Sequence, residues 1–302
     1  MKINVSTEHM KLFEALSSKT RIRILELLAK GPKNIGELAK LLGVSSAITT
    51  RHISLMEEAG IIRTENIPGK RGLQKLCHIA VDEIILSFEH QASSREYQVV
   101  SIPVGQFAAY EVSPPCGLAS TEGYIGVCDD PRYFSDPARV NAALIWFQSG
   151  WVEYRIPSYI IYSRPIHSIE ISLEICSEFP GYKEDWPSDI YFYLNGILLG
   201  TWTSPGDFGK NKGIYTPGWW KAGSQHGFLK TIRITNTETM LDGIVLSDVT
   251  LNQLNIQPGK DIPFKIAVPD TARNVGGLNL FGKGFGNYDQ NIEVRVEYQI
   301  DL

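Results

Sequence analysis

The sequence predicts a multidomain α+β protein, helical over its first ninety residues and antiparallel all-β over the two hundred that follow. Two observations carry that division. Apolar residues recur every three to four positions up to about residue 60, and from about residue 98 they alternate with polar ones. A length of 302 residues is also long for one core. The polar stretch "HQASSREYQ" (90–98) has neither period, so the expected organisation is a domain over 1–90, a linker over 91–97 and a second domain over 98–302.

In the first domain Met10, Phe13 and Leu16 form one helical stripe, and Ile22, Leu25 and Leu28 a second. Ser18 is placed to cap the second helix, and Gly31-Pro32 ends it. Asn34 precedes Glu37 by three residues, a capping-box start for a third helix, "IGELAKLL", that Gly43 closes. A fourth helix starts at Ser45 or Ser46 and stops at Gly60, with Ile48, Leu55, Met56 and Ala59 expected on its inner face. The tight "GVS" between helices three and four matches a helix-turn-helix. The run "IIRTENIPGKRGLQKLCHIA" then reads as a hairpin with Lys70 and Arg71 at its tip, which is a wing. A short helix is expected over Val81–His90, with Ile84, Ile85 and Phe88 apolar.

The signatures "ALSSKTRIRILELL", "IGELAKLLGVS", "RHISLMEEAGII" and the basic wing, in that order, resemble the winged helix-turn-helix of the arsenical-resistance-repressor (ArsR) family. The resemblance covers about the first 85 residues. It implies a dimeric bacterial repressor that releases double-stranded operator DNA when an effector binds. The family's metal sensors carry cysteines in the third helix, where this chain has "NIGELAK". Asp82, Glu83 and His90 lack ligand spacing, so no metal and no cofactor is expected.

Short hydroxyls and a guanidinium on the fourth helix suit base edges and phosphates in a major groove. Ser45, Ser46, Thr49, Thr50 and Arg51 are therefore the expected reading face, with Lys70 and Arg71 on the backbone from the wing. His52 fits two roles, a phosphate contact or a satisfied residue at the core edge. The charge balance agrees with DNA at the front of the chain. Residues 1–90 hold 13 Lys and Arg against 10 Asp and Glu, whereas the whole chain carries a net charge of −4.

No apolar run reaches the roughly 20 residues of a spanning helix, and "MKINVSTEHMKLFEAL" has no signal-peptide pattern, which points to the cytoplasm and away from a membrane. The four cysteines, Cys77, Cys116, Cys128 and Cys176, form no C-x-x-C pair and read as idle thiols.

The second domain offers short alternating runs from "QVVSIPVG" to "IEVRVEYQI", punctuated by Pro, Gly, Asn and Asp. "AALIWFQ", "WVEYRIP" and "DVTLNQL" read as separate strands, and Asn195-Gly196 as a tight hairpin turn. The architecture expected is an antiparallel sandwich or jelly roll, loosely similar to the jelly-roll carbohydrate-binding modules. No nucleotide loop, nucleophile elbow or zinc-protease motif occurs, and Asp129-Asp130 beside Pro131 reads as a turn former, so no enzyme is expected.

Two loops mix aromatics with polar groups, the composition of small-molecule sites. One is "SPGDFGKNKGIYTPGWWK" (204–221) with Trp202 before it, supplying Asp207, Asn211, Tyr215, Trp219 and Trp220. The other, "GGLNLFGKGFGNYDQN", supplies Asn279 and Tyr288. Trp219 and Trp220 equally suit a cap on the sandwich core. The expected function is a transcriptional regulator, a repressor and homodimer, whose β-domain senses a sugar-like effector. The alternative is a β-domain that serves only oligomerisation or protein interaction.

Overall fold

The computed structural model describes residues 1–69, 72–81, 83–87, 96–162 and 164–298. The chain divides into two compact units, Met1–Ser93 and Ser94–Leu302.

The first unit contains, in order, β1 (Lys2–Asn4), α1 (Met10–Leu16), α2 (Lys19–Leu28), β2 (Lys33–Asn34), α3 (Ile35–Leu42), α4 (Ser46–Glu58), β3 (Ile62–Gly69), β4 (Gly72–Ile79) and β5 (Ile85–Ser87). The capping box is present at α3: the Asn34 side chain accepts from the Glu37 N–H and the Glu37 carboxylate from the Asn34 N–H, both at 2.9 Å. Gly43 ends α3 in the left-handed region (φ 69°), a conformation that costs a residue with a Cβ. Ser45 then caps α4, its Oγ accepting from the Ile48 N–H. Leu12, Ile24, Leu28, Leu38, Ile53, Met56, Ile61 and Cys77 bury themselves together as the core. β3 and β4 form the wing hairpin, with β2 on the outer side of β4.

Two expectations fail here. On α4 Met56 is buried and Ala59 packs against the core as expected, but Ile48 and Leu55 are exposed and Thr49 and Ile53 are buried in their place. Val81–His90 does not form a helix over its described part. Ile85–Ser87 is a strand, β5, that pairs in parallel with β1, and the terminal ammonium of Met1 donates to the Glu83 carbonyl. The N-terminal strand supplies a backbone partner that the local pattern cannot reveal. Asp82, Phe88 and His90 lie outside the described residues, as do Lys70 and Arg71 and most of the linker expected over 91–97.

The second unit contains β6 (Tyr97–Ile102), β7 (Ala109–Ala119), β8 (Tyr124–Ile125), β9 (Leu144–Ile156), β10 (Ile166–Cys176), β11 (Ser188–Leu194), β12 (Ile197–Ser204), β13 (Phe228–Ile234), β14 (Thr239–Leu241), β15 (Ile244–Ser247), β16 (Ile262–Val268), β17 (Leu278–Phe281) and β18 (Ile292–Tyr298). All its strand pairs are antiparallel. One layer runs β12-β11-β16-β9-β7-β8 and the other β6-β18-β10-β13-β14-β15. β17 hydrogen-bonds to both β9 and β10 and so joins the layers into one sheet. Every second residue points inward: Val152, Tyr154 and Ile156 from β9, Ile169, Ile171, Leu173 and Ile175 from β10, Phe264 and Ile266 from β16, Val294 and Val296 from β18. Each such side chain contributes on the order of 1.5–3 kcal/mol by leaving water.

Asn195 and Gly196, both at positive φ, make the expected tight turn. The segments "AALIWFQ" and "WVEYRIP" are one strand, β9: Gly150 at φ 112° lets the chain pass close to Glu111 of β7, and a register shift in β7 between Ser113 and Cys116 absorbs the irregularity beside it. "DVTLNQL" forms turns, not a strand.

Helix content among the described residues belongs to the first unit apart from 3-10 turns, so far-ultraviolet helical signal reports on that unit alone. Replacing Asn34 by Ala removes one half of the capping box and is expected to destabilise this unit by about 1 kcal/mol. Urea denaturation followed by helical circular dichroism measures it.

Candidate functional site

On α4 the exposed residues include Ser46, Thr50, Arg51 and Ser54. Thr50 Oγ1 donates to the Ser46 carbonyl at 2.8 Å, and Thr50 and Arg51 are both exposed. Ser54, at i+4 from Thr50, joins this stripe but was missed in the sequence because it was assigned to no face. Thr49 must be removed from it: it is fully buried, and its hydroxyl donates to the Ser45 carbonyl at 3.1 Å. A face shared with Ile53 and Met56 cannot reach a ligand in solvent. Ser45 is occupied as the α4 cap. His52 is half-buried, with Nδ1 lacking a hydrogen-bond partner among the described residues. Burial first, then the charges of Arg21 and Arg51, hold its pKa below the ordinary histidine value.

In the β-unit, a row of cross-strand neighbours lies on the outer face of the sheet where β17 joins the layers. Gly117 of β7 faces Trp146 of β9, Trp146 faces Asn279 of β17, and Asn279 faces Cys176 of β10. A Cβ at Gly117 would lie 2.2 Å from the Trp146 indole, so glycine is what leaves the ring its place. The loop over 204–227 folds across this row, and its Trp220 packs on Trp146 (centroids 5.6 Å) and on Phe285 (5.6 Å). Tyr124 completes the aromatic wall, 5.3 Å from Trp220 and 6.3 Å from Trp146.

Beside that wall is a cavity of about 280 Å³, lined by Tyr124, Trp146, Phe179 and Trp220 and by Asp129, Glu178, Ser224 and Asn279. Asn279 Nδ2 is within 2.8 Å of the Ser177 carbonyl, Glu178 Oε2 and Ser224 Oγ. A larger cavity of about 480 Å³, around Arg164, Asn236 and Asn252, has Tyr162 as its one aromatic wall residue and none of these buried side-chain hydrogen bonds.

The residues singled out in the sequence therefore disperse. Trp220 and Asn279 line the cavity, and Asp207 lies fully buried behind it, accepting from the Phe179 N–H at 3.0 Å. Trp219 flanks Trp220 and donates from its indole to the Thr121 carbonyl. Trp202 stacks edge-on to Phe228 with the Lys230 ammonium over its ring. Asn211 and Tyr215 are exposed, and the Tyr288 N–H donates to Glu174. Tyr124, Asp129, Trp146 and Glu178 were missed because they come from β8, a turn and two strand ends far apart in sequence. Asp129 sits at φ 62° and fixes its turn twice over, by its N–H to the Cys116 carbonyl and by its carboxylate to the Cys116 N–H.

Three buried acids surround this region. Burial pushes Glu174 up to about 7, opposed by N–H donors from Gly227, Asn287 and Tyr288, and pushes Asp207 up to about 7, opposed by the Ser224 hydroxyl and the Phe179 N–H. Glu178 is raised well above the carboxylate range by burial and by repulsion from Asp207. A carboxyl whose folded pKa exceeds its unfolded value binds more protons when native, so the Glu174 and Asp207 contributions to stability fall as pH rises from about 4 to about 7, and that of Glu178 falls in the same direction. All six tryptophans lie in this unit. Denaturation followed by their fluorescence is expected to show a higher midpoint at pH 5 than at pH 8, and Asp207→Asn to narrow that gap. An unchanged gap in the variant places the proton elsewhere.

Residues 18–64 match the family profile described as bacterial regulatory protein, arsR family. An uncharacterized HTH-type transcriptional regulator of Methanocaldococcus jannaschii is 41% identical over 56 residues, which are 18% of this chain and 59% of that one. The chain thus spans under two thirds of the length of that curated relative. Among solved structures, the ArsR family transcriptional regulator RHA00566 is 35% identical, covering 23% of this chain and 71% of that one at a TM-score of 0.20. The β-unit aligns with the C-terminal CBM6 of LamC from Zobellia galactanivorans at 12% identity and a TM-score of 0.27, over 66% of this chain and 98% of that one. Residues 18–64 of this chain are thus an arsR-type helix-turn-helix, similar to those of bacterial regulatory proteins of that family.

Proposed function

We propose that this chain is a DNA-binding transcriptional regulator, a cytoplasmic homodimeric repressor whose β-domain binds a small carbohydrate effector. The observation that carries the DNA half is the polar stripe of α4, Ser46, Thr50, Arg51 and Ser54, presented after a tight capped turn in a domain of the arsR family. Side chains of that size and chemistry reach base edges from a major-groove helix, with Lys70 and Arg71 supplying phosphate contacts from the wing. What supports the effector half is the cavity, where flat indoles stand beside Asn, Ser and carboxyl groups that bond to hydroxyls. An effector alters DNA affinity by binding the two states of the regulator unequally.

The DNA half is tested with the full chain on a duplex selected from a random-sequence pool. Arg51→Ala is expected to weaken binding by about 1–3 kcal/mol, and the Lys70→Ala, Arg71→Ala pair to flatten the salt dependence by about one unit of slope per lost phosphate contact. Unchanged affinity and slope in both variants overturns the assigned face. For the effector half, tryptophan fluorescence and melting temperature are followed against mono- and oligosaccharides. A flat response transfers the β-domain to the protein-interaction role.

A further inference from the structure

We propose that the cavity beside Trp146 and Trp220 selects an amino sugar, its ring against the indoles and its ammonium between Asp129 and Glu178. This names the ligand class within the carbohydrate-sensing reading and rests on it.

Charge is the first argument. Asp129 and Glu178 line the cavity and Asp207 lies behind it, and no Lys, Arg or His is among the described lining residues. A phosphorylated or carboxylated sugar brings its anion against the Asp129 carboxylate and the buried acids behind it, whereas an ammonium is the opposite charge to Asp129 and favours ionisation of Glu178, which burial otherwise holds protonated.

The second argument is an unused acceptor. Glu178 is only 6% exposed yet lines the cavity; Asn279 takes its Oε2, and its Oε1 makes no hydrogen bond among the described residues. Asp129 likewise spends one carboxylate oxygen on the Cys116 N–H, and its other oxygen makes no hydrogen bond among the described residues. An ammonium offers three donors and no acceptor, which suits a site with oxygens to spare. A neutral hydroxyl satisfies such an oxygen less well than a charged donor does.

The third argument is the wall. Indole is the best side-chain partner for a cation over its face, and the same rings hold the apolar side of a pyranose. Lys183, which lies over Trp186 and Phe179, does not line the cavity, so among the described residues no side-chain cation takes the small cavity-facing part of Trp146 and Trp220, each 7% exposed. At about 280 Å³ the space is just under the roughly 300 Å³ lower end of ligand sites, which suits a single sugar ring.

The test titrates the full-length chain with glucosamine, N-acetylglucosamine, glucose and glucose 6-phosphate, read by tryptophan fluorescence and isothermal calorimetry. Glucosamine is expected to bind at least about tenfold more tightly than glucose or N-acetylglucosamine, in which the charge is absent or blocked. Glucose 6-phosphate is expected to bind most weakly. Glu178→Gln and Asp129→Asn keep the side-chain shape, and each is expected to erase most of the preference for glucosamine over glucose. Equal affinity for glucosamine and N-acetylglucosamine overturns the amine selectivity and leaves carbohydrate sensing standing. If none of the sugars binds, both readings fall. A glucosamine preference that survives in both variants also overturns the site assignment. Should either variant fail to fold, the other and the sugar series on the unmodified chain still decide.

Discussion

The β-unit depends on the pairing of one four-residue strand, Leu278–Phe281, with both β9 and β10. Apart from it the two layers share apolar contact and side-chain hydrogen bonds such as those of Ser247 to the Leu199 carbonyl and Tyr154 to the Val104 carbonyl. With it, the backbone hydrogen bonds of each layer run into the other, and the strand is buried on both faces. Leu278 and Leu280 enter the core between the layers, while Asn279 and Phe281 face outward under the loop over 204–227. The same alternation that fills the core therefore sets Asn279 beside Trp146 and floors the cavity.

Covering an outer sheet face with a polar loop takes backbone groups away from water, and each needs a partner. Glu174 supplies three of them. Its carboxylate accepts from the N–H groups of Gly227, Asn287 and Tyr288 and so ties two loop segments to β10. Gly286 must be glycine there, since it sits at φ 78° and a Cβ would lie 2.4 Å from that carboxylate. Asp207 serves the neighbouring segment in the same way, through the Phe179 N–H, while Glu178 accepts from the Asn279 side-chain amide. Buried acids are costly unless bonded, and here the bonding is what shapes the loop walls. The residues that make the region stable are thus the ones that make it concave and electronegative.

The N-terminal unit shows how narrow the margin is between a reading face and a core face. A rotation of one residue, about 100° of helix, exchanges Thr49 for Thr50. The β-branched Thr49 is tolerated inside because its hydroxyl bonds to the Ser45 carbonyl one turn back, so the buried polar atom is satisfied. Two apolar residues, Ile48 and Leu55, are left on the exposed side as a consequence.

By itself the sequence determined the elements whose cause is local. The Asn34–Glu37 box, the Gly43 and Gly60 stops, the wing strands, the Asn195-Gly196 turn and the alternation of β18 all follow from residues within a turn or two of each other. It also determined the class of each half, because the hydrophobic period changes from helical to two. Only the tertiary structure decided which face of α4 is buried, since apolarity alone favours Ile48 inside, whereas packing buries Thr49, whose hydroxyl is satisfied by the Ser45 carbonyl. It alone decided that Ile85–Ser87 extends beside β1, that a glycine-rich loop hides β17, and that Trp220 and Asn279 meet Tyr124, Asp129, Trp146 and Glu178. Those contacts join residues scores of positions apart, and no local propensity encodes which distant strand end will lie under a given loop.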